Sequence, residues 1–191
     1  METRSAKSPR SARCSKGMEE IVLHAAGLPV EDGEWRLILR KHRTRAISFC
    51  MRREGEDSGA EEALKRRREE ALVFLEKEAL RELLKIKHEQ LLMIEFGVLL
   101  DSSFTAFLQG FQEENERRRL AIEHGEPVYG PKQYPLDAWY FHLHRLRLNE
   151  LARVLGGKGE VEKALLRLPV GRSALSLEGR RSVEEVLQFP G

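Results

Sequence analysis

The chain reads as an all-α protein. It is built around a long central helix, kinked near residues 97–102, with shorter helices packed on it and a basic N-terminal tail. Two observations predict this. Only seven prolines occur in 191 residues, and none lies between Pro29 and Pro127, which leaves 97 consecutive residues free of the strongest helix breaker. The composition is 34% charged and only 7% aromatic, dominated by Leu, Glu, Arg, Lys and Ala, which propagate helices well. A sandwich, a barrel or a collagen-like chain is disfavoured.

Residues 1–17 hold five basic groups and one acid, with Ser at 5, 8, 11 and 15. They read as a basic tail, disordered or bound to a partner. An organelle transit peptide is the rival, weakened by Glu2 and by the lack of large apolar residues for an amphipathic face.

Residues 18–125 form a helical region. Met18–Ala26 is a short helix candidate stopped by Gly27 and Pro29. Asp32 opens a second helix reaching about Arg53, with Trp35, Leu39, Ala46, Phe49 and Cys50 on its apolar side. Alternation of Trp35, Leu37 and Leu39 with Ile47, Phe49 and Met51 would also suit a hairpin. Helix is favoured because Lys41–Thr44 offers no Gly, Asn or Pro for a turn. Ser58 stands three residues before Glu61, the spacing of a capping box, and a long helix follows. One stripe of it is Leu80, Leu84, Leu91, Ile94 and Val98, and a second is Leu72, Leu75, Ala79, Leu83 and Ile86. Two stripes make a surface wider than a two-stranded coiled-coil seam, so neighbours are expected on more than one side. Gly97 and the Asp101–Ser103 cluster predict a break, with Asp101 or Ser102 capping a new helix whose face is Phe104, Phe107, Leu108 and Phe111. Gly125 supplies its left-handed stop.

Residues 126–135, with three prolines and Gly130, form a loop that redirects the chain. Residues 136–191 read as a helical hairpin and a short terminal helix. The first helix spans Leu136–Leu155, with Trp139, Leu143, Leu146 and Val154 on its apolar side and Tyr140 and Leu151 nearby, and closes at Gly156–Gly157. Glu160–Leu168 follows and ends at Pro169. Ser182 and Glu185 repeat the capping-box spacing and open Val183–Gln188.

The search for chemistry yields little. His142 and His144 are two residues apart, so on a helix they point about 200° from each other and cannot share one ion. The Glu-x-x-His pairs of di-iron bundles are missing. Gly156-Gly157-Lys158-Gly159 lacks the Walker spacing and the following Ser or Thr. No G-x-S-x-G occurs, and Cys50 sits within an apolar stripe. No catalytic residue, cofactor or metal site is therefore expected. An enzyme using His142, His144 or Asp137 ranks last among the readings. No apolar run is long enough to span a membrane, and two cysteines fit a reducing compartment, cytoplasmic or mitochondrial.

The sharpest signal is electrostatic. Arg36, Arg40, Lys41, Arg43, Arg45, Arg52 and Arg53 crowd residues 35–53, which contain no acid. Such a segment contacts a polyanion such as RNA, or answers acidic protein surfaces, the chain's own long helix included. The candidate packing or partner-contact residues are Leu80, Leu84, Leu91, Ile94, Val98, Phe104, Phe107, Phe111 and Trp139. Together these lead to a non-catalytic structural or adaptor subunit of a larger assembly, with other protein subunits as partners. The alternative is an RNA-contacting peripheral protein of a ribonucleoprotein that uses the tail and residues 35–53.

Overall fold

The computed structural model describes residues 19–51, 60–168 and 177–187. The tail, Arg52, Arg53, Ser58, Pro169 and the side chain of Cys50 lie outside the described residues, as does the proposed helix end at Gln188. The described residues are mostly helical, at 74%, as the composition predicts. A two-stranded antiparallel hairpin, β1 (Ile21–Ala25) and β2 (Leu28–Glu31), precedes α1 (Asp32–Met51), α2 (Ala60–Glu95), α3 (Phe104–Glu123), α4 (Leu136–Leu155), α5 (Lys158–Leu165) and α6 (Leu177–Val186).

The hairpin corrects the helix expected over Met18–Ala26. Leu23 pairs with Val30 and Ala25 with Leu28. Ala26 and Gly27 both take positive φ, 52° and 79°, the backbone of a type I′ turn, whose twist matches that of its strands. Gly27 thus turns a hairpin instead of ending a helix. Pro29, which has no N–H to give, sits in a two-stranded sheet where a ladder bond can be spared. Val22, Leu23, Ala25 and Val30 are buried, and this burial supports a hairpin too small to stand alone in water.

Residues 35–51 are helical, as favoured above. Trp35, Ile38, Leu39 and Ala46 of α1 are fully buried against Ala71, Leu75, Ala79 and Leu83 of α2. Farther along, Phe49 stacks on Phe74 with ring centroids 4.8 Å apart. The 36-residue α2, about 54 Å long at 1.5 Å per residue, is the spine. Its second stripe is the buried seam. Leu80 and Leu84 pack half-buried on the same core, Leu91 is half-buried and Ile94 is exposed.

The break falls where the glycine and serine cluster places it. Gly97 takes φ 69°, and the amides of Val98 and Leu99 both return to the Met93 carbonyl. The cap of α3 is Ser103, one residue beyond the two candidates; its Oγ accepts from the Ala106 amide, and the Asp101 carboxylate accepts from the Ser103 amide at 2.7 Å. α3 ends before Gly125, as expected. The loop after it is fastened by Arg118, whose guanidinium donates to the carbonyls of Tyr129 and Pro131 and lies 4.3 Å over the Tyr134 ring.

α4 has the expected bounds, with Gly156 as its left-handed C-cap. Its packed face is displaced from the one expected. Tyr140, Leu151 and Ala152 are buried, while Leu146 and Val154 are exposed. α6 starts before Ser182, so that residue is no cap. It lies inside the helix, and its hydroxyl donates to Asp32 Oδ1 at 2.5 Å. Two apolar cores result. The larger joins the hairpin, α1, most of α2, the starts of α3 and α4, and α6. The smaller joins the end of α2, Leu99, the end of α4 and α5.

Candidate interaction surfaces

The acid-free segment of α1 does not stand free. Arg36 pairs with Asp32 and with Glu185 of α6, each at 2.5 Å. Lys41 pairs with Glu82 of α2 and sits 4.1 Å over the Phe141 ring of α4. His42 contacts the other oxygen of Glu82 at 2.5 Å. Arg43 donates to the Val186 carbonyl at 2.7 Å, and Arg45 reaches Glu78 at 3.4 Å. Burial pushes the Glu82 carboxyl up, but the hydrogen bonds from Lys41 and His42 and their charges outweigh this and hold it below its ordinary value. Arg40 is exposed and has no partner among the described residues.

Beneath this surface lies a buried polar network that no spacing motif announced. Glu34 Oε2 is 2.8 Å from Lys87 Nζ, and Glu34 Oε1 accepts from the Tyr140 hydroxyl at 2.6 Å. Burial pushes the Glu34 carboxyl up, opposed by Lys87 and by the hydrogen bond from Tyr140. Burial and the adjacent Glu34 carboxylate raise the Tyr140 phenol well above its usual range. One turn earlier, Glu31 accepts from the Phe104 and Thr105 amides at 2.9 and 3.3 Å and from the Thr105 hydroxyl at 2.7 Å. It therefore places a carboxylate on the positive end of α3. One signal was present: Lys87 falls four residues after Leu83, in phase with the buried stripe Leu75, Ala79 and Leu83. The adjoining cavity, lined by Gln90, Tyr140 and Arg147, is about 20 Å³. That is room for one water and not for a substrate. The network clasps α1, α2 and α4 together.

The two histidines of α4 diverge. His144 meets Glu89 at 2.7 Å, whereas His142 stacks beside Tyr134 and Trp139. Among the described residues no group of three His, Cys, Asp or Glu side chains is disposed around one ion. No helix of the described residues is long and apolar enough to cross a membrane.

Of the apolar candidates, Phe104 is buried, Phe107 packs edge-on to Tyr140 at 5.1 Å, and Phe111 and Trp139 are half-buried. Val98 packs on the smaller core. The helices and links that build that core also carry exposed apolar residues: Ile94, Phe96, Leu100, Leu146, Val154 and Leu166, with Leu100 at 95% and Leu166 at 86%. No protein-family model, curated protein or solved structure matches this chain.

Proposed function

We propose that the chain is a non-catalytic structural or adaptor subunit of a larger assembly, working through helical protein–protein contacts. The exposed apolar residues on the elements of the smaller core carry this reading, because Leu100, Leu146, Val154 and Leu166 belong to the same helices and links as Leu99, Leu151 and Leu165 without sharing their burial. A partner that covers them would bury apolar surface worth about 25 cal/mol per Å². The charge layout supports a protein partner over RNA: Arg36, Lys41 and Arg45 already face carboxylates of the same chain, which reduces the counterions available for release. Cysteine usage supports a reducing compartment, cytoplasmic or mitochondrial.

The test is the size of the native complex purified from its own cells, before and after nuclease. A complex that survives nuclease and is lost on Leu100→Asp with Leu166→Asp supports the reading. A monomer in the native extract overturns it, and collapse on nuclease replaces it with the RNA-contacting reading.

A further inference from the structure

A second surface names a class of partner, and it rests on the adaptor reading above. α1 and the start of α4 flank an open groove of about 720 Å³. Its lining is mostly apolar and includes Leu37, Leu136, Ala138 and Phe141, with Lys41 over the Phe141 ring. Its two walls carry opposite charges: Arg40 on α1 and Asp137 in the first turn of α4, both exposed. Neither has a partner among the described residues. The contrast with their neighbours matters, since Arg36, Lys41, Arg43 and Arg45 are each held by a carboxylate or a carbonyl. The charges left uncommitted are thus one cation and one anion, on facing walls of the same apolar trough.

We propose that this groove docks an amphipathic helix of a partner protein. The helix sets an apolar residue on that lining, an acidic side chain on Arg40 and a basic side chain on Asp137. On a helix, residues three and four apart share a face, so an acid, an apolar residue and a base within two turns meet this pattern. The same two charges argue against other occupants. A phosphate backbone that approached Arg40 would find the other cations of the groove, Arg36 and Lys41, already paired with carboxylates, and would meet Asp137 and Asp32 in the same lining. The chain's own tail, with five bases and one acid, would set cations against Arg40. The interaction gains specificity from the pairing of signs more than from the strength of either contact.

The experiment uses the full chain carrying the photo-reactive residue benzoylphenylalanine in place of exposed Ala138, on the groove, or of exposed Leu100, in the link between α2 and α3. Each is irradiated in native cell extract, and the captured segment is read by mass spectrometry. Position 138 is expected to capture a protein segment with an acid and a base flanking an apolar residue at helical spacing. The yield is expected to fall at least fivefold with Arg40→Glu or Asp137→Asn and to be unchanged by Arg119→Glu on α3, with thermal melts confirming that each variant folds. Capture of nucleic acid or of a second copy of this chain at position 138 overturns the proposal, as does protein capture indifferent to both charge changes. Capture at 100 with none at 138 overturns this groove while the adaptor reading stands. No capture at either position overturns both.

Discussion

Lys87 and Glu34 lie 2.8 Å apart with both side chains withdrawn from solvent, and Tyr140 closes the pair from a third helix. Removing one member of a buried pair leaves a charge with nothing to meet it, at a cost of about 3–5 kcal/mol, while replacing both by apolar groups is far milder. Lys87→Met is therefore expected to lose stability on that scale. The double variant Lys87→Met with Glu34→Leu is expected to recover much of the loss. Urea unfolding of the two variants and the parent checks this; equal losses would mean that the pair does not act as a unit.

Glu82 answers Lys41 and His42 together, and its carboxyl is held below its ordinary value in the folded chain. A depressed carboxylate adds stability that is present above its unfolded pKa and is lost as pH falls through the folded one. Acid unfolding of Glu82→Gln should accordingly show a shallower loss of stability below about pH 4.5 than the parent. Denaturant titrations at stepped pH read the difference, and parallel curves would contradict the assignment.

Arg118 holds the 126–135 loop through two carbonyls and an aromatic face. Arg118→Met keeps the aliphatic stem but leaves the Tyr129 and Pro131 carbonyls without that donor. The expected cost is about 1–3 kcal/mol, together with faster amide exchange at residues 128–134. Unchanged exchange there would show that the loop keeps its shape without the arginine.

Ala26 adopts φ 52°, a region that side chains with a Cβ enter at a cost. Ala26→Gly removes that strain in the folded chain, so the variant is expected to be more stable by about 0.5–1 kcal/mol. A lower melting temperature would show that the unfolded chain's gain in freedom outweighs the relief.

These residues also show what could be read before any coordinates. The end of α3 and the bounds of α4 were legible because Gly125, Pro135 and Gly156 act locally, as left-handed stops and as a helix-breaking proline, while the start of α3 was read one residue short of its true cap, Ser103. The β hairpin was not, because a short, mostly apolar segment suits either element and Ala26 is an unusual residue for its turn. Ser182 misled because its spacing to Glu185 imitates a cap, while its true partner, Asp32, is 150 residues away. The packed face of α4 was misplaced for a related reason. Its inward side includes Tyr140 and His144, whose polar ends are satisfied by Glu34 and Glu89 on other elements. The basic residues of α1 were found by counting. Whether each was free depended largely on carboxylates and a carbonyl 33 to 149 residues away, and Arg40 is distinguished from its neighbours only by its surroundings.

The return of α6 to α1 has a consequence for how the chain is made. Trp35 donates to the carbonyl of Gly179, and Asp32 receives the hydroxyl of Ser182. On the ribosome, the hairpin and the first two helices emerge long before the residues that finish their core. At about 5–20 residues per second, closing a separation of 144 positions takes on the order of ten seconds. Throughout that interval the side of α1 that α6 covers is without its partner and open to chaperones or to premature association, so the last stretch to be synthesised sets when the first can complete its native packing.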